Sequence, residues 1–77
     1  MKKIEVLGPG CAKCHKLEEL TQQAITELDL ECSFEKVTAI EKFVEYGVMV
    51  TPALVVDGRV VVSGKVPAIH EIKQMIQ

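Results

Sequence analysis

The chain has little of what nucleic-acid and membrane proteins depend on. It has no tryptophan, two phenylalanines and one tyrosine among 77 residues, and its net charge is only −2. Binding to phosphates and bases needs basic clusters and aromatic side chains, so we expect no nucleic-acid partner. No apolar run approaches the roughly 20 residues that cross a bilayer, so we expect no membrane partner.

The sequence also lacks an export signal and a disulfide scaffold. Lys2 and Lys3 are typical of the start of a signal peptide, but Glu5 and the segment Gly8-Pro9-Gly10 interrupt the apolar stretch that would have to follow. Three cysteines are too few, and odd in number, for a secreted disulfide framework. We therefore place the protein in the cytoplasm, where neighbouring thiols usually carry redox or metal chemistry.

What remains is the composition of a small soluble domain. Hydrophobic residues make up 48% and charged residues 26% of the chain, which are ordinary proportions for a globular protein. We expect a single domain over residues 1–77 and, since nothing demands a dimer, a monomer. A domain of this size buries only about 60% of the surface that its unfolded chain exposes, so its margin of stability is small.

The first half of the chain predicts a strand, a helix and a second strand. Residues 2–7 form the first strand, and Gly8-Pro9-Gly10 ends it. The helix ends near Asp29, and its apolar face has the spacing of an amphipathic helix: Leu17, Leu20, Ala24, Ile25 and Leu28. In the second strand every other residue is apolar, namely Leu30, Cys32 and Phe34, so Cys32 is predicted to face the core.

The second half predicts a helix, a hairpin and a last helix. Thr38 and Glu41 suggest a capping box for a short helix that ends at Gly47, with an apolar stripe of Ile40, Phe43 and Val44. Asp57-Gly58 predicts a tight turn between strands at 53–56 and 60–62. Pro67 suits the first position of the last helix, whose apolar face is Ile69, Ile72 and Ile76.

The predicted order is therefore βαβαββα. The first two strands run parallel through a crossover helix, and the hairpin adds antiparallel strands. The sequence predicts an α/β fold with a mixed four-stranded sheet and helices on both faces.

The segment Cys11-Ala12-Lys13-Cys14-His15 fits three chemistries. Cys-x-x-Cys-His attaches haem in some proteins, two thiolates bind soft metals, and two neighbouring thiols exchange disulfides. Haem attachment usually belongs to exported, mostly helical chains, which this sequence does not resemble.

The position of the two cysteines favours disulfide exchange. Cys11 lies at a helix start, where free amides and the helix dipole favour an anion, so it is the predicted nucleophile. Cys14 lies one turn further, within disulfide reach, and would resolve a mixed disulfide by attacking the Cys11 sulfur. The substrates would be disulfides of partner proteins, with an electron donor that the sequence does not identify.

The whole chain, from Met1 to Gln77, resembles the small thioredoxin-like proteins of the redox-active disulfide protein 2 family. The resemblance rests on Gly-x-Gly-Cys-x-x-Cys after the first strand, on Thr51-Pro52 before the third, and on Val-Asp-Gly-x-Val with Gly64 around the hairpin. It departs from the thioredoxin pattern Trp-Cys-Gly-Pro-Cys, because Gly10 precedes Cys11 and Ala12-Lys13 separate the cysteines. Ser63-Gly64-Lys65-Val66 stands where glutaredoxins carry Gly-Gly and Asp for glutathione.

The resemblance implies a thioredoxin or glutaredoxin fold without the extra first strand and helix of full thioredoxins. It implies a redox-active Cys11–Cys14 disulfide with no other cofactor and no resident metal. It also implies a cis Thr51–Pro52 bond, beside which an extended substrate segment pairs, so Thr51 and Pro52 become substrate-binding residues. Glu5 occupies the position of a buried acid that moves protons for the second cysteine, although an exposed strand residue is the simpler expectation.

Two residues beside the cysteines are candidates for tuning, and two other functions stay open. Lys13 and His15 would stabilise a Cys11 thiolate if they approached it, but exposed positions on the helix are the commoner case. A soft-metal chaperone would use both thiolates for copper or zinc, with Cys32 or a second molecule as a further ligand. A non-enzymatic redox sensor would use the same dithiol without turnover.

Overall fold

The computed structural model describes residues 2–77, which form a four-stranded sheet with three helices packed on it. The strands are β1 Lys2–Leu7, β2 Cys32–Val37, β3 Ala53–Val56 and β4 Arg59–Ser63, and the helices are α1 Ala12–Leu28, α2 Ile40–Glu45 and α3 Ile69–Ile76. The predicted order βαβαββα, the α/β class and the mixed sheet are confirmed.

The order of strands across the sheet is β2-β1-β3-β4. β1 runs parallel to β2, with Leu7 opposite Val37, and antiparallel to β3, with Leu7 opposite Ala53. β4 completes the sheet antiparallel to β3. The chain therefore leaves β1 and enters β3 at the same edge of the sheet, which brings residues 8–11 and 51–52 to one end of the molecule.

Two apolar cores lie on opposite faces of the sheet. The larger core, under α1 and α3, consists of Ile4, Val6, Leu17, Ala24, Leu54, Val56, Val62, Ile72 and Ile76. The smaller core, under α2, consists of Leu7, Val37, Phe43, Val48, Ala53 and Val55. Alternate residues of β1 serve the two cores, so this central strand is buried on both faces.

The short helix α2 differs from its prediction. The predicted capping box is wrong, because the N-cap residue is Ala39, no side chain caps the helix, and Thr38 is exposed. The predicted apolar stripe is also wrong in two of its three members, since only Phe43 is buried while Ile40 and Val44 are 69% and 71% exposed. A helix of six residues turns only one face toward the sheet, and Phe43 occupies that face.

The last two strands and α3 follow the sequence more closely. Asp57 and Gly58 have φ values of 51° and 81°, as a tight turn with two left-handed residues requires, so the hairpin is confirmed. The prediction for Pro67 is wrong, because α3 begins at Ile69. Its N-cap residue is Ala68, whose amide donates to the Glu71 carboxylate at 3.2 Å.

The second strand is shifted relative to its prediction. β2 begins at Cys32 and extends to Val37, whereas the alternation of apolar residues placed it at 30–35. Cys32 is half-buried against the larger core, at the opposite end of the sheet from Cys11, because it pairs with Lys2 at the start of β1. Within residues 2–77, no helix is both long and apolar enough to cross a membrane.

Candidate active site

The connection between β1 and α1 carries the two neighbouring cysteines from the sheet edge to a helix start. The Gly8 amide donates to the Val37 carbonyl at 2.9 Å, so pairing with β2 continues one residue beyond β1. Gly10 then has a φ of 99°, which a residue with a side chain rarely adopts. This turn of the chain leaves Cys11 as the extended N-cap residue of α1.

Cys11 and Cys14 are joined by a disulfide bond, with Cα atoms 5.0 Å apart. The two residues differ in accessibility: Cys11 is exposed, whereas Cys14 is only 4% exposed. A partner protein can therefore reach the Cys11 sulfur, while the Cys14 sulfur is accessible mainly to Cys11 itself.

The start of α1 favours negative charge on the Cys11 sulfur. The Cys14 amide donates to Cys11 Sγ at 3.2 Å, so the sulfur takes the acceptor position that a serine or aspartate oxygen has in other helices. The helix is 17 residues long and has no acidic residue in its first turn. Its positive end is therefore directed at Cys11 without a neighbouring carboxylate to offset it.

The two tuning candidates, Lys13 and His15, both lie at the start of α1. Lys13 is exposed. The His15 side chain is also exposed, and its Nδ1 lies 4.0 Å from the Glu18 carboxylate, which Lys36 approaches to 3.7 Å. Both residues are thus exposed, as expected from the sequence. The acidic neighbour of the His15 ring is Glu18.

Thr51 and Pro52 lie at the edge of the sheet from which Cys11 also emerges. The Thr51–Pro52 peptide bond is cis, Pro52 is buried and Thr51 is half-buried. The Pro52 carbonyl accepts a hydrogen bond from the Gly64 amide at 2.8 Å, which ties the loop before β3 to the end of β4. The backbone around Thr51 is thus held at the rim of the sheet.

Exposed apolar side chains are concentrated just before this loop. Met49 and Val50 are 96% and 58% exposed, and they follow the exposed Ile40 and Val44 of α2 in the chain. We call these four residues the apolar rim; the sequence predicted that two of them, Ile40 and Val44, would face the core.

Glu5 is the residue that the structure corrects most clearly. It was expected to be an exposed strand residue, but it is only 4% exposed. The reason is that β1 is a central strand covered on both faces, and Glu5 lies on the α2 side. The Tyr46 hydroxyl donates to Glu5 Oε1 at 2.7 Å, so the buried carboxylate has a hydrogen-bond donor.

Tyr46 is a residue of the site that the sequence pattern did not predict. It ends α2, where its amide bonds to the carbonyls of that helix. The hydrogen bond to Glu5 raises the pKa of Tyr46 above 10.0, and burial and nearby carboxylates add to the effect. The two residues line an open pocket of about 740 Å³ beside α2, whose other walls include Lys3, Glu35 and Lys42.

No cluster suited to a resident metal is found in the described part of the chain. Among residues 2–77, no three His, Cys, Asp or Glu side chains lie together in the way that a metal ion requires. Cys32, which the metal hypothesis offered as a further ligand, is separated from Cys11 by the length of the sheet.

Comparisons with known proteins agree on one family. A family model described as "Thioredoxin domain" matches residues 2–77. A protein named thioredoxin from Methanothermobacter thermautotrophicus is 37% identical over 76 residues, covering 99% of both chains. A thioredoxin from Methanocaldococcus jannaschii is 35% identical over 74 residues, covering 96% of this chain and 85% of its own. With its sheet order, its helix-start disulfide and these matches over nearly its whole length, the chain belongs to the thioredoxin domain family.

Proposed function

We propose that the protein is a thiol–disulfide oxidoreductase that exchanges its Cys11–Cys14 dithiol with disulfides of partner proteins. One observation carries the proposal: a helix start holds two bonded cysteines, of which one is exposed and the other buried. Membership of the thioredoxin domain family supports this activity at the level of the family. We place the activity in the cytoplasm and in a monomer.

In the first step, the Cys11 thiolate attacks one sulfur of the partner disulfide. A mixed disulfide forms between Cys11 and that sulfur, and the other partner sulfur leaves as a thiolate. The Cys14 amide and the positive end of α1 hold the charge on Cys11 before the attack. Since Cys11 is exposed, a partner segment can approach its sulfur.

In the second step, the buried Cys14 loses its proton and attacks the Cys11 sulfur. The Cys11–Cys14 disulfide forms, the mixed disulfide breaks, and the partner sulfur that was bonded to Cys11 leaves as a thiolate and takes up a proton. We propose that the buried carboxylate of Glu5 accepts the Cys14 proton, because the family resemblance gives this position to an acid that moves protons for the second cysteine. A dithiol reductant then returns two electrons and two protons to the disulfide and completes the cycle.

The partner segment binds beside the loop before β3. We propose that an extended stretch of the substrate pairs with the backbone of Thr51 and packs near Pro52. The apolar rim defined above supports a protein substrate, because a small polar disulfide would not cover side chains as exposed as Met49 and Val44.

Trapping of the mixed disulfide tests this function. Reduced Cys14→Ser is mixed with a model protein disulfide, and the products are separated without reductant and identified by mass. We expect a covalent complex through Cys11, because the resolving thiol is gone, and no complex with Cys11→Ser. If Cys11→Ser still turned over while Cys14→Ser formed no complex, the assignment of roles would be wrong. Stoichiometric reaction without turnover by the wild type would instead indicate a redox sensor.

The pH dependence of the release step tests the role of Glu5. The mixed disulfide is formed rapidly, and its resolution by Cys14 is followed over a range of pH in the wild type and in Glu5→Gln. We expect slower release in Glu5→Gln and a dependence of the release rate on pH that differs from that of the wild type. Glu35→Gln is the matched control, because Glu35 pairs with Glu5 across β1 and β2 but is exposed. An unchanged profile in Glu5→Gln would reject the role.

A further inference from the structure

Gly8 has a fixed backbone and lies directly against the buried cysteine. It is buried, and its amide donates to the Val37 carbonyl at 2.9 Å. Gly8 therefore continues the pairing of β1 with β2 and does not belong to the turn that follows. A Cβ atom added at Gly8 would lie 2.9 Å from Cys14 Cβ and closer still to Cys14 Sγ. Real Cβ atoms essentially never approach that closely, so a side chain at Gly8 would force a shift.

Gly8 is a glycine for a different reason from most glycines of this chain. Gly10, Gly47 and Gly58 have positive φ values, and added Cβ atoms there would meet no atom of residues 2–77 within 4 Å. Gly8 is not among the residues with a positive φ. The backbone at Gly8 would therefore accept a side chain, and only the space that Cys14 occupies excludes one.

We propose that Gly8 is a positioning residue. Because it has no side chain, it leaves the space that the Cys14 sulfur occupies, and it thereby stabilises the Cys11–Cys14 disulfide relative to the dithiol. The inference rests on the proposed function, because it concerns the redox equilibrium of the same two cysteines.

The two redox states would respond differently to a methyl group at Gly8. In the disulfide, the Cys14 sulfur is held by its bond to Cys11 and cannot move away from the methyl group. Reduction adds two electrons and two protons, breaks that bond and leaves two thiols, so the Cys14 sulfur becomes free to rotate about its Cα–Cβ bond. The contact with Cys14 Cβ affects both states, whereas the contact with Sγ is unavoidable only in the disulfide.

A redox titration of Gly8→Ala tests the inference. Wild type and variant are equilibrated with mixtures of reduced and oxidised dithiothreitol, and the free thiols are alkylated and counted by mass. We expect the equilibrium constant for forming the disulfide to fall about tenfold, which corresponds to a rise in potential of about 30 mV for a two-electron couple. An unchanged potential, or a more stable disulfide, would overturn the role of Gly8.

Gly58→Ala is the matched control for general destabilisation. It introduces the same methyl group at a hairpin residue with a φ of 81° and with nothing within 4 Å of the new atom. We expect it to lower the free energy of unfolding without moving the redox potential. An equal shift in potential from Gly58→Ala would show that the Gly8→Ala effect is not local, and would overturn the inference.

Failure of the inference and failure of the proposed function give different results. A wild type that forms no disulfide at any dithiothreitol ratio would overturn the proposed function itself. If Gly8→Ala does not fold, the reduced double variant Gly8→Ala with Cys14→Gly replaces it, with Cys14→Gly as its reference, because both Cys14 atoms that the new methyl group meets are then removed. Recovery of folding when the Cys14 side chain is removed supports the role of Gly8, whereas no recovery overturns it.

Discussion

The two faces of the sheet differ in how completely they are covered. Under α1 and α3, the core residues Leu17, Ile72 and Ile76 are completely buried. Under α2, one short helix contributes only Phe43 to the core, while Ile40 and Val44 remain exposed. The α2 face also contains the buried Glu5 and the open pocket beside it.

This difference separates stability from chemistry within one small domain. The face under α1 and α3, which we call the closed face, carries the larger apolar core. The face under α2, which we call the open face, holds the Glu5 carboxylate, the Tyr46 phenol and the exposed apolar side chains that precede Thr51 in the chain. Cys11 and Cys14 lie at the start of α1, which packs on the closed face.

The largest difference is expected between a core residue of α3 and a rim residue of α2. Ile72→Ala leaves a cavity in the closed face and is expected to lower the free energy of unfolding by about 2–5 kcal/mol. Val44→Ala removes an exposed side chain and is expected to change it by no more than about 0.5 kcal/mol. Denaturant unfolding of both reduced variants measures the contrast. Similar losses from both would contradict the assignment of stability to the closed face.

The next largest effect is expected on the open face, from Tyr46→Phe. The change removes the donor to the buried Glu5 carboxylate and is expected to cost about 1–3 kcal/mol at neutral pH. The raised pKa of Tyr46 means that the native state binds more protons than the unfolded state above pH 10.0, so stability falls as pH rises there. Tyr46→Phe should lack this alkaline decline, which unfolding measurements over about pH 8–11 would detect.

A double-mutant cycle provides the control for Tyr46. If the hydroxyl acts through Glu5, then Tyr46→Phe should cost much less in a Glu5→Leu background, which has no acceptor for the hydroxyl, than in the wild type. Equal costs in the two backgrounds would show that the hydroxyl does not act through Glu5.

The smallest effect is expected from the ion pair that joins the two helices of the closed face. Lys73 Nζ donates to the Glu27 carboxylate, and this contact, followed by one from Gln23, lowers the pKa of Glu27 below 4.5. The stability from this pair is therefore present above pH 4.5 and lost as pH falls through the lowered pKa. Glu27→Gln should weaken the acid dependence slightly, and less so in high salt, because the pair is exposed. A larger loss of the free energy of unfolding from Glu27→Gln than from Tyr46→Phe would contradict this order of effects.

The sequence predicts the closed face and the hairpin well, because their signals are local. The helical spacing of Leu17 and Ala24 gives α1, and Asp57-Gly58 supplies the two left-handed residues that the turn requires. The position of Cys11 at a helix start follows from the Gly8-Pro9-Gly10 break alone. The disulfide site could thus be located from a few neighbouring residues.

The open face could not be predicted in the same way, because its contacts join distant residues. Glu5 is buried by a tyrosine 41 positions later in the chain, which no local pattern reveals. The sequence Ile4-Glu5-Val6-Leu7 does contain one usable signal, since three apolar residues in four are typical of a central strand buried on both faces. The predicted capping box of α2 is wrong for another reason: the helix begins at Ile40, one residue too late for Thr38 to cap it.

The central claim is that Cys11 and Cys14 form a redox couple, and a redox titration tests it most directly. Protein freed of metal is equilibrated in dithiothreitol buffers, and thiols are counted by alkylation and mass spectrometry in the wild type and in Cys14→Ser. The account predicts a reversible two-electron transition with one Cys11–Cys14 bridge, absent from the variant. A folded wild type that forms no such bridge would contradict the account and would make copper(I) or zinc binding by the two thiolates the function to measure next.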